Sequence, residues 1–139
     1  GQGTLGWALL AVGAPGGNQA AAGQLNDFSG NDNSKDYHKS ALLLAGLAGL
    51  GRVDGNTASG FAGDINANIS KKTRWASAIE SAARRGESGT VALLAAAGLQ
   101  AADWREIPPH HLYYIVRSLR EVGMEAEARM IAAEAVTFG

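Results

Sequence analysis

Residues 108–136 read PPHHLYYIVRSLREVGMEAEARMIAAEAV. Ile107-Pro108-Pro109 forces an extended approach, and a proline in the first turn then starts a helix whose own N–H groups there need no partner. Leu112, Ile115, Val116 and Leu119 follow at helical spacing and form one apolar stripe. Gly123 interrupts the pattern, and Met124, Ala128, Ile131 and Ala135 resume it on a second helix. Glu125 and Glu127 fall in the first turn of that helix, where the backbone dipole favours negative charge. The stretch is therefore expected to form a helical hairpin turned at Gly123.

The same unit recurs upstream. Laying WASAIESAARRGESGTVALLAAAG, residues 75–98, over residues 112–135 pairs Trp75 with Leu112, Ile79 with Val116, Ala82 with Leu119, Gly86 with Gly123 and Leu94 with Ile131, an offset of 37 residues. Gly51 lies 35 residues before Gly86, and Gly13 lies 38 before Gly51. A period in the mid-thirties characterises stacked helix-turn-helix arrays, where each hairpin buries its stripe only against its neighbours. The expected fold is all-α: an array of about four antiparallel helical hairpins, an α-solenoid, with a compact helical bundle as the alternative.

The remaining elements are placed by caps and breakers. A first helix is predicted over residues 4–12 with Thr4 as N-cap, stopped by Gly13-Ala14-Pro15. A weak helix capped by Asn18 runs through Leu25, and residues 26–33, rich in Asn, Asp, Ser and Gly, read as a loop. Ser34 caps a helix over residues 35–50 that is apolar all round, with Tyr37, Leu43, Leu44 and Leu47 directed into a core. Ala45 and Gly49, four apart, let another helix approach closely. Asp54-Gly55 reads as a turn before a Gly-rich helix over residues 58–66 capped by Asn56 or Thr57. Ser70 opens the helix carrying Trp75, Ile79 and Ala82, which ends with Arg84 and Arg85 before Gly86. Ser88 opens the next, with Leu93 and Leu94 buried and Gly98 as its stop, and residues 103–106 form one turn around Trp104.

Composition bounds the function. A chain of 139 residues, 46% hydrophobic, holds one domain with its own core. A net charge of −1 gives no bulk signal for nucleic acid or membrane as a partner. No cysteine is present, which excludes disulfides, thiol catalysis and cysteine-ligated metals. Ala41 to Leu50, the longest apolar run past the first helix, is about half the ~20 residues that span a bilayer. The chain opens without Met and enters an apolar run at Leu5, as expected of a processed chain or of part of a larger one; residues 5–14 echo the end of a signal peptide but lack its basic segment.

Residues 119–136, with Gly123 in the turn and Ala128 and Ala135 on the packing face, resemble the turn and second helix of a tetratricopeptide-like hairpin. The resemblance implies a protein-binding helical repeat. The aromatic and Leu-Gly positions usual in the first helix of that family are not reproduced. A looser resemblance is to bacterial proteins labelled antifreeze glycopeptide polyprotein, which implies an extracytoplasmic, periplasmic location; the Ala-Ala-Thr tripeptide on which that activity rests does not occur.

Chemistry-bearing motifs are few. His110-His111 sits beside Tyr113-Tyr114, but adjacent helical residues point about 100° apart and do not chelate one ion together. Gly1-Gln2-Gly3-Thr4-Leu5-Gly6 fits a dinucleotide-loop pattern without the strand it requires. The aspartates near the Asn- and Gly-rich loops lack the spacing of a calcium loop. Lys71, Lys72 and Arg74, with Arg84 and Arg85 beyond, could meet a polyanion, and a solvated face accounts for them more simply. No catalytic residue, cofactor or metal is assigned. The array reading instead makes the non-core faces of the first helices a groove: His110, Tyr114, Arg117 and Glu121 in the last hairpin and, 37 residues earlier, Thr73, Ser77, Glu80 and Arg84. Such a polar groove with one aromatic suits a protein or peptide segment in a non-enzymatic interaction module. The alternatives are a self-association domain forming a homo-oligomer, and a helical enzyme or accessory carbohydrate-processing domain with Glu80 or Glu121 as acid.

Overall fold

A computed structural model describes residues 2–139; Gly1, where the loop-like glycine pattern starts, lies outside them. The described residues form eight α-helices and no strand: α1 Gln2–Gly13, α2 Ala22–Gly30, α3 His38–Gly49, α4 Gly55–Asp64, α5 Arg74–Arg84, α6 Ser88–Gly98, α7 Pro109–Glu121 and α8 Glu125–Phe138. Short 3-10 turns, Lys35–Tyr37 and Trp104–Glu106, precede α3 and α7.

Three of the turn glycines aligned in the sequence share one helix stop. Gly51, Gly86 and Gly123 adopt left-handed φ angles of 70°, 70° and 84°. In each case the next residue's N–H reaches a carbonyl five residues back: Arg52 to Leu47, Glu87 to Ala82 and Met124 to Leu119. The glycine's own N–H takes the carbonyl three back, which completes a Schellman motif. In the first hairpin the left-handed glycine is Gly16, φ 62°, and not Gly13, which ends α1 in helical conformation. The spacing of turn glycines is then 35, 35 and 37 residues.

Four hairpins are present, but they do not stack in chain order. The fourth is inserted between the second and third: α7 packs on α3 at one side and on α5 and α6 at the other, while α8 packs on α3 and α1. The first helices run parallel. Trp104, just before α7, accepts from His38 at the start of α3, and Gly49 and Gly51 at the far end of α3 meet Val116 and Arg120. Likewise Trp75 lies beside His111, and Glu80 beside Arg117. The reason is the breadth of apolar surface. On α7, Leu112, Tyr114, Ile115, Val116 and Leu119 are all buried, so it needs neighbours on two sides. On α5 the buried residues Ala76, Ile79, Ala82 and Ala83 occupy one face, as befits the end of a row. Glycines in α3 allow the close approach: a Cβ on Gly49 would come within 2.9 Å of Val116, and one on Gly46 within 3.1 Å of Ala132. Gly46 thus takes the role expected of Ala45, which is buried in the core.

Other expectations move for equally local reasons. Helix α2 extends through residues read as loop, because Leu25 and Phe28 give it a buried stripe at i, i+3 and its Ser29 and Asn31 side chains donate back to Asn26 and Asp27 carbonyls. Thr4 lies inside α1. The helix expected from Lys35 is broken: Asp36 and Tyr37 are left-handed, φ 53° and 57°, and Tyr37 is exposed. That detour lets Asp32 cap α3. Its carboxylate accepts from the N–H and hydroxyl of Ser34 and from the N–H (2.9 Å) and hydroxyl (2.6 Å) of the fully buried Ser40, while Lys39 N–H donates to Ser34 Oγ. Asp54 caps α4 through Thr57 N–H at 2.8 Å, where a free turn was expected. Leu93, expected in the core, is exposed, and Leu94 is half-buried with its carbonyl bound by Trp75. On α8 the buried stripe is Ala128, Ala132, Ala135 and Val136, one step round from the expected one.

The carbonyl end of α1 carries partial negative charge and is covered by two arginines from other hairpins. Arg52 donates to Ala11 O at 2.8 Å and Arg129 to Gly13 O at 2.9 Å. This accounts for Arg52 being buried at 4% exposure in the core-facing turn. One cluster of buried residues runs from Ala8 to Val136 and unites the hairpins. Among the described residues no helix is long and apolar enough to cross a membrane.

Candidate binding face between the third and fourth hairpins

Because α5 and α7 are parallel neighbours, residues at equal positions in the repeat face one another. Glu80 and Arg117, 37 apart in sequence, meet across the two helices at 3.2 Å. The same carboxylate takes Lys72 at 2.8 Å and Arg84 at 3.3 Å. The Glu80 side chain is only 13% exposed, covered by cations that are each about half exposed. The hydrogen bond from Lys72 holds the Glu80 carboxyl below its usual range against the opposing effect of burial, with Lys72, Arg84 and Arg117 adding to the shift. Lys72 is correspondingly raised by its bond to Glu80. A general acid needs the reverse, a carboxyl kept protonated.

Three cations on one carboxylate leave two positive charges facing solvent. Residues 71–87 hold five Lys and Arg, Lys72 and Arg84 among them, against Glu80 and Glu87, the latter paired with Arg85, so the rest of a chain with net charge −1 sums to −4. Charge is therefore segregated along the chain even though the total is near zero.

Of the eight residues expected to form a groove, Glu80, Arg84 and Arg117 are brought together. Tyr114 is not on the surface: it is 3% exposed, and its hydroxyl donates to Ser70 O at 2.9 Å, tying the segment before α5 to α7. Burial, the leading cause, raises its phenol pKa. Its place is taken by Tyr113, half-buried, whose ring carries the Arg117 guanidinium 5.9 Å from its centroid and whose hydroxyl lies 3.4 Å from Arg117 Nη1. Thr73 is the N-cap of α5, its Oγ1 accepting from Ala76 N–H. Helix α5 thus starts at Arg74, and Lys71 and Lys72 stand before it, outside the first turn in which the sequence placed them. Ser77 and Glu121 are exposed and outside the ion cluster.

The two histidines have separate structural surroundings. His111 packs on Trp75, ring centroids 4.5 Å apart, and its Nδ1 lies 2.7 Å from Gly98 O, so Nδ1 carries the proton. Trp75 Nε1 donates to Leu94 O at 2.8 Å, and its indole lies where a side chain on Gly98 would be. These contacts lock α5, α6 and α7 together. His110 stands edge-on to His111 at 4.7 Å; burial, then His111 and Lys71, hold its pKa below the usual value. Among the described residues no three His, Asp or Glu side chains gather as a metal would require.

One cavity borders the face and a larger one lies apart from it. The first, of about 360 Å³, runs between α4, the end of α3 and residues 67–70, lined mainly by Ala48, Val53, Ala58, Ala62, Ile69 and Tyr113. Tyr113 is therefore shared between an apolar cleft and the ion cluster. The other, of about 900 Å³, opens at the starts of α3 and α7 among Asp36, His38, Asn66, Asp103 and Arg105; none of the eight expected residues lines it. Compared with known protein families, characterised proteins and solved structures, the chain matches none.

Proposed function

We propose that the chain is a non-enzymatic interaction module that holds a segment of another protein across the α5–α7 face. The observation that carries this reading is the meeting of Lys72, Arg84 and Arg117 on Glu80, which leaves exposed positive charge held by α5, α7 and the segment just before α5. Fixed cations of this kind steer and orient an acidic partner more than they stabilise the fold, since exposed ion pairs contribute little to stability. The tetratricopeptide-like resemblance of the last hairpin and the protein-binding role it implies agree with such a use. The test is to pan a displayed random-peptide library against the immobilised chain and its Lys72→Glu/Arg117→Glu variant. Enrichment of acidic sequences on the former alone is expected; an identical set recovered on both contradicts the assignment.

A second reading, self-association, is favoured by the outer face of α6. Leu93 is 75% exposed there, and no charged residue occurs from Ser88 to Ala102. Sedimentation equilibrium should then show a dimer that Leu93→Glu dissociates; a monomer at high concentration counts against it.

A further inference from the structure

The cationic cluster does not stand alone, because Tyr113 also forms a wall of the apolar cleft beside it. Tyr113 and Arg117 are one helical turn apart on α7 and touch each other. Lys72 is two residues beyond Ser70, which lies at the cleft's edge. The cleft is lined mostly by Ala48, Val53, Ala58, Ala62 and Ile69, with Ser59, Asn68 and Ser70 also in its lining and no charged side chain, and its volume of about 360 Å³ is at the small end of the range that ligand pockets occupy. Small alanines make it concave, so it takes a side chain in preference to supplying one. One helical turn is about 5.4 Å, which an extended chain covers in about two residues.

Resting on the binding reading above, we infer that the segment recognised is bipartite: an extended stretch with one large apolar side chain seated in the cleft and carboxylates two or three positions away on Lys72, Arg84 and Arg117. The occupant's chemistry follows from complementarity at both ends. The cluster carries excess positive charge and selects acid; the cleft has no charged side chain to pair an ion and mostly alkyl walls, and selects an apolar anchor. Tyr113 is the hinge between the two, offering its ring face to the anchor while Arg117 lies over it. Polyanions without an anchor, nucleic acid among them, satisfy the cluster only.

The experiment uses fluorescence anisotropy with four labelled probes on the full chain: an eight-residue peptide with Leu followed by Asp and Glu, the same peptide with Leu changed to Ala, the same with its acids changed to Asn and Gln, and a single-stranded oligonucleotide of eight residues. The first should bind at least about tenfold tighter than each of the other three, in keeping with burial of one large apolar side chain. Ala58→Phe, which fills the cleft, should bring the Leu and Ala peptides within about twofold of each other while leaving the preference for acid intact. Lys72→Glu/Arg117→Glu should abolish the acid preference. If acidic peptides bind and the anchor makes no difference, the bipartite site is overturned and the acidic-segment reading stands. If no peptide binds, or the oligonucleotide alone binds, both are overturned. Circular dichroism on each variant separates loss of binding from loss of fold.

Discussion

Asp32 holds more of the fold than its position in an Asn- and Gly-rich stretch indicates. Burial raises its pKa, but the hydrogen bonds from Ser34 and Ser40 more than offset this and leave it below the usual value. Replacing it with Ala strands the hydroxyl and N–H of the buried Ser40 in the first turn of α3. The expected loss is about 2–4 kcal/mol of unfolding free energy, measured by urea denaturation, since each stranded buried group costs about 1–3 kcal/mol. His110 gives a pH signature of opposite origin. Its folded pKa lies below the ordinary 6.5, so the unfolded chain binds the extra proton first and stability is present above that value. As pH falls through 6.5 and then through the folded pKa, that contribution is lost; His110→Asn should flatten the thermal-stability profile as pH falls through 6.5. An unchanged slope in the variant would remove His110 as its source.

Among the elements, α3 and α4 use glycine in opposite ways. Gly49→Ala forces a methyl to within 2.9 Å of Val116 and 3.0 Å of the Tyr113 carbonyl, neither of which can swing aside. A cost of about 1–3 kcal/mol is expected, seen as a lower urea midpoint with the same slope. Gly60 on α4 has open space around its added Cβ, and Gly60→Ala should raise stability by about 0.4–1 kcal/mol. Element type and most helix stops were legible in the sequence because they are local: Gly51, Gly86 and Gly123 announce their own conformation. The N-terminal ends were less so. Asp32 acts across eight residues to Ser40, and no local pattern marks that bond. The second half of helix α2 was hidden because Phe28, alone among turn-formers, looks like part of a loop until it joins Leu25 in the core.

For the whole molecule, the sequence carried the helices and the glycine turns between them but not their order in space. Hairpin order depends on which helix offers apolar surface on two sides. Tyr114 held that information: counted as a groove aromatic, it is the residue that makes α7 a central helix. The candidate site was half legible for the same reason. Glu80 and Arg117 came from the 37-residue offset, which holds because α5 and α7 are parallel neighbours. Tyr113 and Lys72, both singled out in the sequence, were left out of the groove: one stood beside the wrong tyrosine, and the other fell in the first turn of a helix opened three residues too early, at Ser70, where the cap is Thr73. A Glu80→Gln/Arg117→Gln double-mutant cycle should return a coupling of about 0.2–1 kcal/mol, falling with added salt, as for a partly exposed pair. The most direct test of the arrangement, and so of the face it builds, is nuclear Overhauser spectroscopy on selectively methyl-labelled chain. Cross-peaks from the Gly49 α-protons to the Val116 methyls are expected, as only insertion of the fourth hairpin beside the second brings them together. Contacts from Gly49 to Ile79 in their place would mean hairpins stacked in chain order and would contradict the account.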